Sequence, residues 1–292
     1  MQTFIELYPA TALGFCLLIA LCIGSFLNVV IHRLPIMLQR EWKTECRSFL
    51  ADELKDNTKS EADTYNLMIP RSACPNCNSL ITAWQNIPVV SWLMLRGKCA
   101  TCKAPISARY PLVELASGLL TLACWWQFGL SLPFVFASLF CIILLCLTMI
   151  DLDTMYLPDQ ITLPTLWLGL LINLDTGFVS LNDAVLGAAI GYGFLWSLFW
   201  VFKLLTGKEG MGYGDFKLLA MIGAWFGWQA LPLTILLSSF SGAAIGIGLI
   251  VFRKHQQSKP IPFGPYLVLG ALCYLLFGDT IHNWYFSYLG IA

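Results

Sequence analysis

The sequence predicts an all-α polytopic membrane protein, with about eight transmembrane helices and a small four-cysteine domain between helices 1 and 2. Three observations predict it. The 292-residue chain is 58% hydrophobic with 12% charged residues, against roughly 25% charged in an average globular chain. Its apolar residues gather in long uncharged runs, and a crossing helix needs about 20 of them. Its Lys and Arg gather between alternate runs, the mark of a fixed membrane orientation. The net charge is zero, so no global field draws the chain to nucleic acid.

The runs follow in order. Residues 10–31 form the first. Only Glu6 precedes this run as a charge, and the basic residues come after it, so it reads as a permanent first helix and not a cleaved signal peptide. Residues 32–110 form a large soluble segment. Within it, residues 40–66 are charged and poor in apolar residues, which suits an exposed helix or a mobile loop, and residues 70–110 carry paired cysteines. The uncharged run 115–150 is too long for one crossing, and "GLSLP" at 129–133 splits it into a hairpin. Residues 160–174 and 184–202 are the fourth and fifth spans. The run 218–252 is again double, broken near "GWQALP" at 227–232, and 263–278 is the last. The expected organisation is therefore a first transmembrane helix over 1–31, a four-cysteine domain over 32–110 and seven helices over 111–292.

The cations test this count. Of 17 Lys and Arg, 11 lie from Arg33 to Arg109, three are Lys203, Lys208 and Lys217, and three are Arg253, Lys254 and Lys259. Eight spans put all three clusters on one side. The positive-inside rule makes that side cytoplasmic and both termini periplasmic.

Six of the 11 cysteines lie in the spans and read as small packing residues: Cys16, Cys22, Cys124, Cys141, Cys146 and Cys273. Cys46 stands alone. Cys74, Cys77, Cys99 and Cys102 form two C-x2-C pairs, "CPNC" and "CATC", with 21 residues between them. Four thiolates so spaced can wrap one zinc ion, or another thiophilic metal, in a closed structural cage. Two disulfides are the other reading, which a reducing cytoplasm disfavours.

Asp151 directly follows the third run, and Asp215 follows the glycine-rich "GKEGMGYG" at the mouth of the sixth. Both fall at the same predicted boundary. Taken singly, Asp215 or Asp159 could cap a helix and Asp153 could be solvated. As a pair, Asp151 and Asp215 suit acid–base work. Two carboxyl groups in one site share a proton, so one acts as acid and the other as base toward water. Gly210, Gly212 and Gly214 leave room for a close backbone approach. Other constellations are missing: there is no H-E-x-x-H, G-x-S-x-G, P-loop or dinucleotide fingerprint.

Several stretches together resemble the bacterial type IV prepilin peptidases. They are "GSFLNVVIHRLP" at 24–35, the cysteine segment at 71–114, "IDLDTMYLPDQITLP" at 150–164, "GKEGMGYGDFKLLAMIGAW" at 207–225 and "PIPFGPYL" at 260–267. The resemblance covers most of the chain, least of all the segment 40–66. It implies a helical bundle of the bacterial inner membrane with a cytoplasmic zinc-binding domain. It implies a GxGD-type aspartic membrane protease with Asp151 and Asp215 as the catalytic pair and Cys74, Cys77, Cys99 and Cys102 as metal ligands. The implied substrates are type IV prepilins and type II secretion pseudopilins, cut after a glycine at the end of a basic leader. The implied second activity is N-methylation of the new N-terminus with S-adenosylmethionine, for which no binding motif is readable. Three short apolar runs, the fourth, sixth and eighth, could thin the bilayer or border water and let it reach the pair. A related peptidase without methylation, as in archaeal preflagellin processing, fits less well because such relatives generally lack the four-cysteine domain. An ion-coupled transporter would also explain acidic residues in spans, but neither inverted repeats nor charges deep in the helices are seen. A metal-ribbon scaffold would leave the paired aspartates unexplained.

Overall fold

The computed structural model describes residues 9–54, 65–175, 177–253 and 261–288. Among these residues the protein is all helical, with two isolated bridges and no strand. Eight long helices organise it: α1 (Pro9–Leu54), α2 (Arg109–Phe128), α3 (Leu132–Thr154), α4 (Asp159–Ile172), α5 (Leu181–Thr206), α6 (Tyr213–Phe226), α7 (Ala230–Arg253) and α8 (Gly264–Tyr288). One helix lies on each predicted apolar run. Segments within α1, α3, α5 and α7 are long and apolar enough to cross a membrane, and Gly264–Gly278 is a shorter apolar stretch. These helices mark a membrane protein. α4 and α6 have 14 residues each, about 21 Å at 1.5 Å per residue. The hydrocarbon core of a bilayer is about 30 Å thick.

The chain divides into two compact units, Met1–Thr121 and Leu122–Ala292. In the first, α1 packs against the start of α2. Ser117 Oγ donates to the Ala20 carbonyl at 2.9 Å, and Asn28 Nδ2 donates to the Tyr110 carbonyl at 3.2 Å. α1 does not stop near residue 31. It passes Pro35 and runs to Leu54, because residues 36–54 contain no Gly or Pro and are rich in helix formers. Residues 40–50 are helical and mostly exposed, and residues 55–64 of the charged segment lie outside the described residues.

In the second unit, the break between α2 and α3 falls at "GLSLP". Ser131 caps α3 by accepting the Phe134 N–H at 3.3 Å. α6 is the centre of this unit, with every residue from Leu218 to Phe226 buried. It touches α4, α5, α7 and α8. Against α5 the two backbones meet directly: a Cβ on Gly187 would run into the Gly223 carbonyl and reach the Trp228 nitrogen at 2.8 Å. Against α4, Trp225 Nε1 donates to the Thr165 carbonyl at 2.8 Å, and Asn173 Nδ2 donates to the Ala224 carbonyl at 2.9 Å. Against α3, Phe140 stacks on Trp225 with ring centres 4.4 Å apart.

The glycine contact gives a stability prediction. Gly187→Val overpacks the α5–α6 seam and costs about 1–3 kcal/mol. Gly193→Val on the same helix meets nothing within 4 Å and serves as the control. Thermal unfolding in detergent should show a lower midpoint for the first variant alone. Equal midpoints would show that the seam is not tight.

Candidate functional site

Asp151 sits in the last turn of α3 and Asp215 in the first turn of α6. Both side chains are buried, at 5% and 7% exposure. α3 ends just past Asp151 because Met155 turns left-handed at φ 53° and its N–H closes onto the Asp151 carbonyl at 2.8 Å. α6 begins at Gly212, which is extended, and the Asp215 N–H returns to the Gly212 carbonyl at 3.2 Å. The two carboxyl groups are close enough to act on each other electrostatically. Asp151 Oδ2 is buried without a hydrogen-bond partner. A buried carboxylate oxygen left unpaired is costly unless a substrate or water group meets it.

Two glycines and a leucine shape the site. Gly264, the first residue of α8, lies so close that a Cβ would stand 2.5 Å from Asp151 Oδ2. Its backbone N–H points to the Asp151 carboxyl group. Leu157, buried in the α3–α4 connection, fills the space beside both Gly264 and Gly214, where a Cβ on Gly214 would stand 2.9 Å from Leu157 Cβ. The "GYGD" and "PFGP" stretches thus converge on one residue of the segment after Asp151. "PFGP" was visible in the sequence, but its contact with Asp151 was not, since nothing local signals a contact over 113 positions.

Asp159 does not cap α4, whose cap position is Pro158. It forms a two-pronged ion pair with Lys217, Nζ lying 2.7 Å from both carboxylate oxygens. The pair ties the start of α4 to the residue two positions past Asp215. Asp153 is exposed on the last turn of α3.

The four cysteines come together. The sulfurs of Cys74, Cys77, Cys99 and Cys102 all lie within 4.8 Å of one another. Cys74 and Cys102 are 3.8 Å apart and Cys77 and Cys99 4.0 Å. A tetrahedron with metal–sulfur bonds of about 2.3 Å has edges of about 3.8 Å, so the sulfurs fit one ion. A disulfide needs about 2.05 Å, and all four thiols are free. The two pairs fold alike. Each is followed by a residue of positive φ, Asn78 at 56° and Lys103 at 61°, and each is flanked by a bridge, Ala73 with Leu80 and Lys98 with Pro105. Backbone N–H groups of Cys102 and Thr101 face Cys99 and pull its thiol down to about 6. The Ser79 hydroxyl and backbone lower Cys77 likewise. Turns that aim N–H groups at sulfur favour the thiolate that a metal requires.

Residues 18–128 match the bacterial peptidase A24 N-terminal domain, and residues 138–247 match the type IV leader peptidase family. The first match holds the four cysteines and the second holds both aspartates. The chain is 61% identical over 270 residues to a prepilin leader peptidase/N-methyltransferase of Aeromonas hydrophila, covering 92% of each chain. It is 53% identical over 290 residues to the protein of that name from Stutzerimonas stutzeri, covering 98% of this chain and 99% of the relative. The Pseudomonas aeruginosa protein of that name is 50% identical over 287 residues, covering 98% of each. No solved structure matches the chain. Identity at this level along nearly the whole length places the chain in the type IV leader peptidase family.

Proposed function

We propose that the protein cleaves the leader from type IV prepilins and pseudopilins and then N-methylates the new N-terminal residue. The observation that carries this reading is the meeting of Asp151 and Asp215, two buried carboxyl groups from different helix ends, in one electrostatically linked site. The names of the relatives support both activities. In the cleavage step the ionised carboxylate takes a proton from water as it attacks the peptide carbonyl carbon. The protonated partner donates its hydrogen to the carbonyl oxygen. As the C–N bond then breaks, the first carboxyl passes the proton it took from water to the leaving amine, and the partner recovers its proton from the collapsing hydroxyl. Gly264 and Gly214 let the backbone and Leu157 pack closely around the Asp151 side of the pair. The short α4 and α6 let water approach a site set at helix ends.

S-adenosylmethionine is the proposed methyl donor. Methyl transfer demands alignment of a neutral amine with the donor, which is chiefly positioning, so it need not use the aspartates. Asp151→Asn and Asp215→Asn should each cut cleavage by roughly 10²–10⁴-fold, while Asp153→Asn and Asp159→Asn are milder. Asp215→Asn should still transfer a labelled methyl group to a pilin supplied already cleaved. Full cleavage by either dyad variant would sink the catalytic assignment. Loss of both activities together would mean that one site does both jobs.

Cys74, Cys77, Cys99 and Cys102 would hold zinc as a structural ion. Four protein ligands leave it no open position for chemistry. Purified protein should carry about one zinc per chain. A Cys74→Ser, Cys99→Ser variant should lose the metal and make residues 65–108 protease-sensitive while the apolar helices still insert. Full metal content in that variant rules the site out.

The proposed organisation is a first transmembrane helix over 1–31, a cytoplasmic domain over 32–110 and a seven-helix protease domain over 111–292, in the bacterial inner membrane with both termini periplasmic. The one-sided clustering of Lys and Arg supports it. Labelling of single introduced cysteines should find residue 130 accessible from the periplasm and residue 208 from the cytoplasm. A cytoplasmic residue 130 would overturn the eight-span topology.

A further inference from the structure

The four-cysteine module is tied to the ends of both apolar helices that flank it. Arg33, two residues past the first apolar run, is buried and donates to the carbonyl oxygens of Asn66 at 2.9 Å and Leu67 at 3.4 Å. Glu114, directly before the second run, is buried and accepts the Val89 N–H at 2.7 Å. Val89 holds φ 61° and ψ −49°, a conformation that β-branched residues rarely adopt. A contact that fixes the chain in so unfavourable a turn is a strong positional restraint. These anchors set residues 65–67 and 88–90 at the level where apolar helix gives way to polar chain, which is where a hydrocarbon core ends.

The residues beside the anchors are apolar and exposed. Met68 is 83% exposed and Ile69 follows it. Val90, Leu93 and Met94, the last 79% exposed, stand at helical spacing on one face of the short helix Val90–Met94. Trp92 turns the other way and donates from Nε1 to the Ile106 carbonyl at 3.2 Å. Trp84, 81% exposed, belongs to the 3-10 turn Ala83–Asn86 that packs against this helix. Outside the cysteine cluster, the charged side chains of the module have one sign. Arg71, Arg96, Lys98 and Lys103 are exposed, and residues 65–108 include no Asp or Glu. Exposed large apolar side chains gathered in a short segment whose charged side chains are cationic mark an interaction surface.

We infer that Met68, Ile69, Trp84, Val90, Leu93 and Met94 lie in the headgroup region of the bilayer at that end of α1 and α2, with Arg71, Arg96, Lys98 and Lys103 placed to meet anionic phospholipid. Tryptophan and flexible apolar side chains are favoured at that depth, and cations beside them attract an anionic leaflet. The same face of a second copy fits poorly, since it would bring like charges together. The tether to two membrane helices keeps the face beside lipid whatever else binds.

The test uses the full-length protein in nanodiscs, with a benzophenone amino acid replacing Trp84, Met94 or, as control, the exposed Thr101. Bound zinc per chain reports that the module remains folded. After illumination, phospholipid adducts should form at 84 and 94 and be scarce at 101. Adduct yield should be higher with phosphatidylglycerol than in pure phosphatidylcholine. Arg96→Gln should lower that preference by roughly fivefold. Protein adducts at 84 and 94, to a second copy or another chain, would overturn the inference, as would lipid yields no higher than at 101. Equal yields in the two bilayers would overturn the role of the cations.

Discussion

The membrane-embedded half depends on one constraint: α6 must be enclosed along its length, with its exposed end at Tyr213, just before the buried Asp215. A 14-residue helix is too short to span a bilayer unaided. Its stability therefore comes from its neighbours. The glycine seam with α5 brings backbone to backbone, the Trp225 and Asn173 hydrogen bonds fasten it to α4, and Phe140 of α3 covers its last turn. Backbone contact of this kind is how helices associate where no water is present to drive them together. With the rest of α6 held, the position of its first turn is no longer free, and Asp215 inherits that rigidity.

Helix ends also act on the pair, beside the larger influence of its burial. Asp215 sits at the N-terminus of its own helix, where a negative charge is favoured by up to about 1 kcal/mol in ordinary settings. Asp151 has the reverse problem, since it lies at the C-terminal end of α3. The N-terminus of α8 offsets it, for Gly264 brings its N–H to the Asp151 carboxyl group. This is why residue 264 is a glycine: any side chain would occupy the place of the carboxylate. The Lys217–Asp159 ion pair is partly exposed, so its contribution to stability is small, on the order of 0–1 kcal/mol. Its consequence is geometric, because it joins the segment that follows Asp151 to the helix that carries Asp215.

Features that repeat locally were legible in the sequence. Uncharged runs gave one helix each, and both double-length runs broke at their Gly and Pro clusters, "GLSLP" and "GWQALP". The spacing of Cys74, Cys77, Cys99 and Cys102 was enough to bring four sulfurs together. The end of α1 was not legible, because apolarity marks where a membrane ends and says nothing of where a helix ends. Charged residues without Gly or Pro simply carry it on to Leu54. Asp159 looked like a cap because its partner Lys217 is 58 positions away. The roles of Leu157 and Gly264 were hidden for the same reason: the packing that requires them is not local.

The two halves of the chain solve opposite problems of burial. The membrane half has apolar surface in excess and must protect a few polar groups, so its glycines and its polar bonds cluster at contacts between helices. The segment 65–108 has too few residues for a core of its own and leaves large apolar side chains outside. Four cysteine sulfurs gathered by matching turns, with the anchors at Arg33 and Glu114, give this segment order that a core would otherwise supply. A closed thiolate cage has no site left for water. In the proposed mechanism the activation of water therefore falls to carboxyl groups, and among the described residues the buried carboxyl groups that act on each other are Asp151 and Asp215.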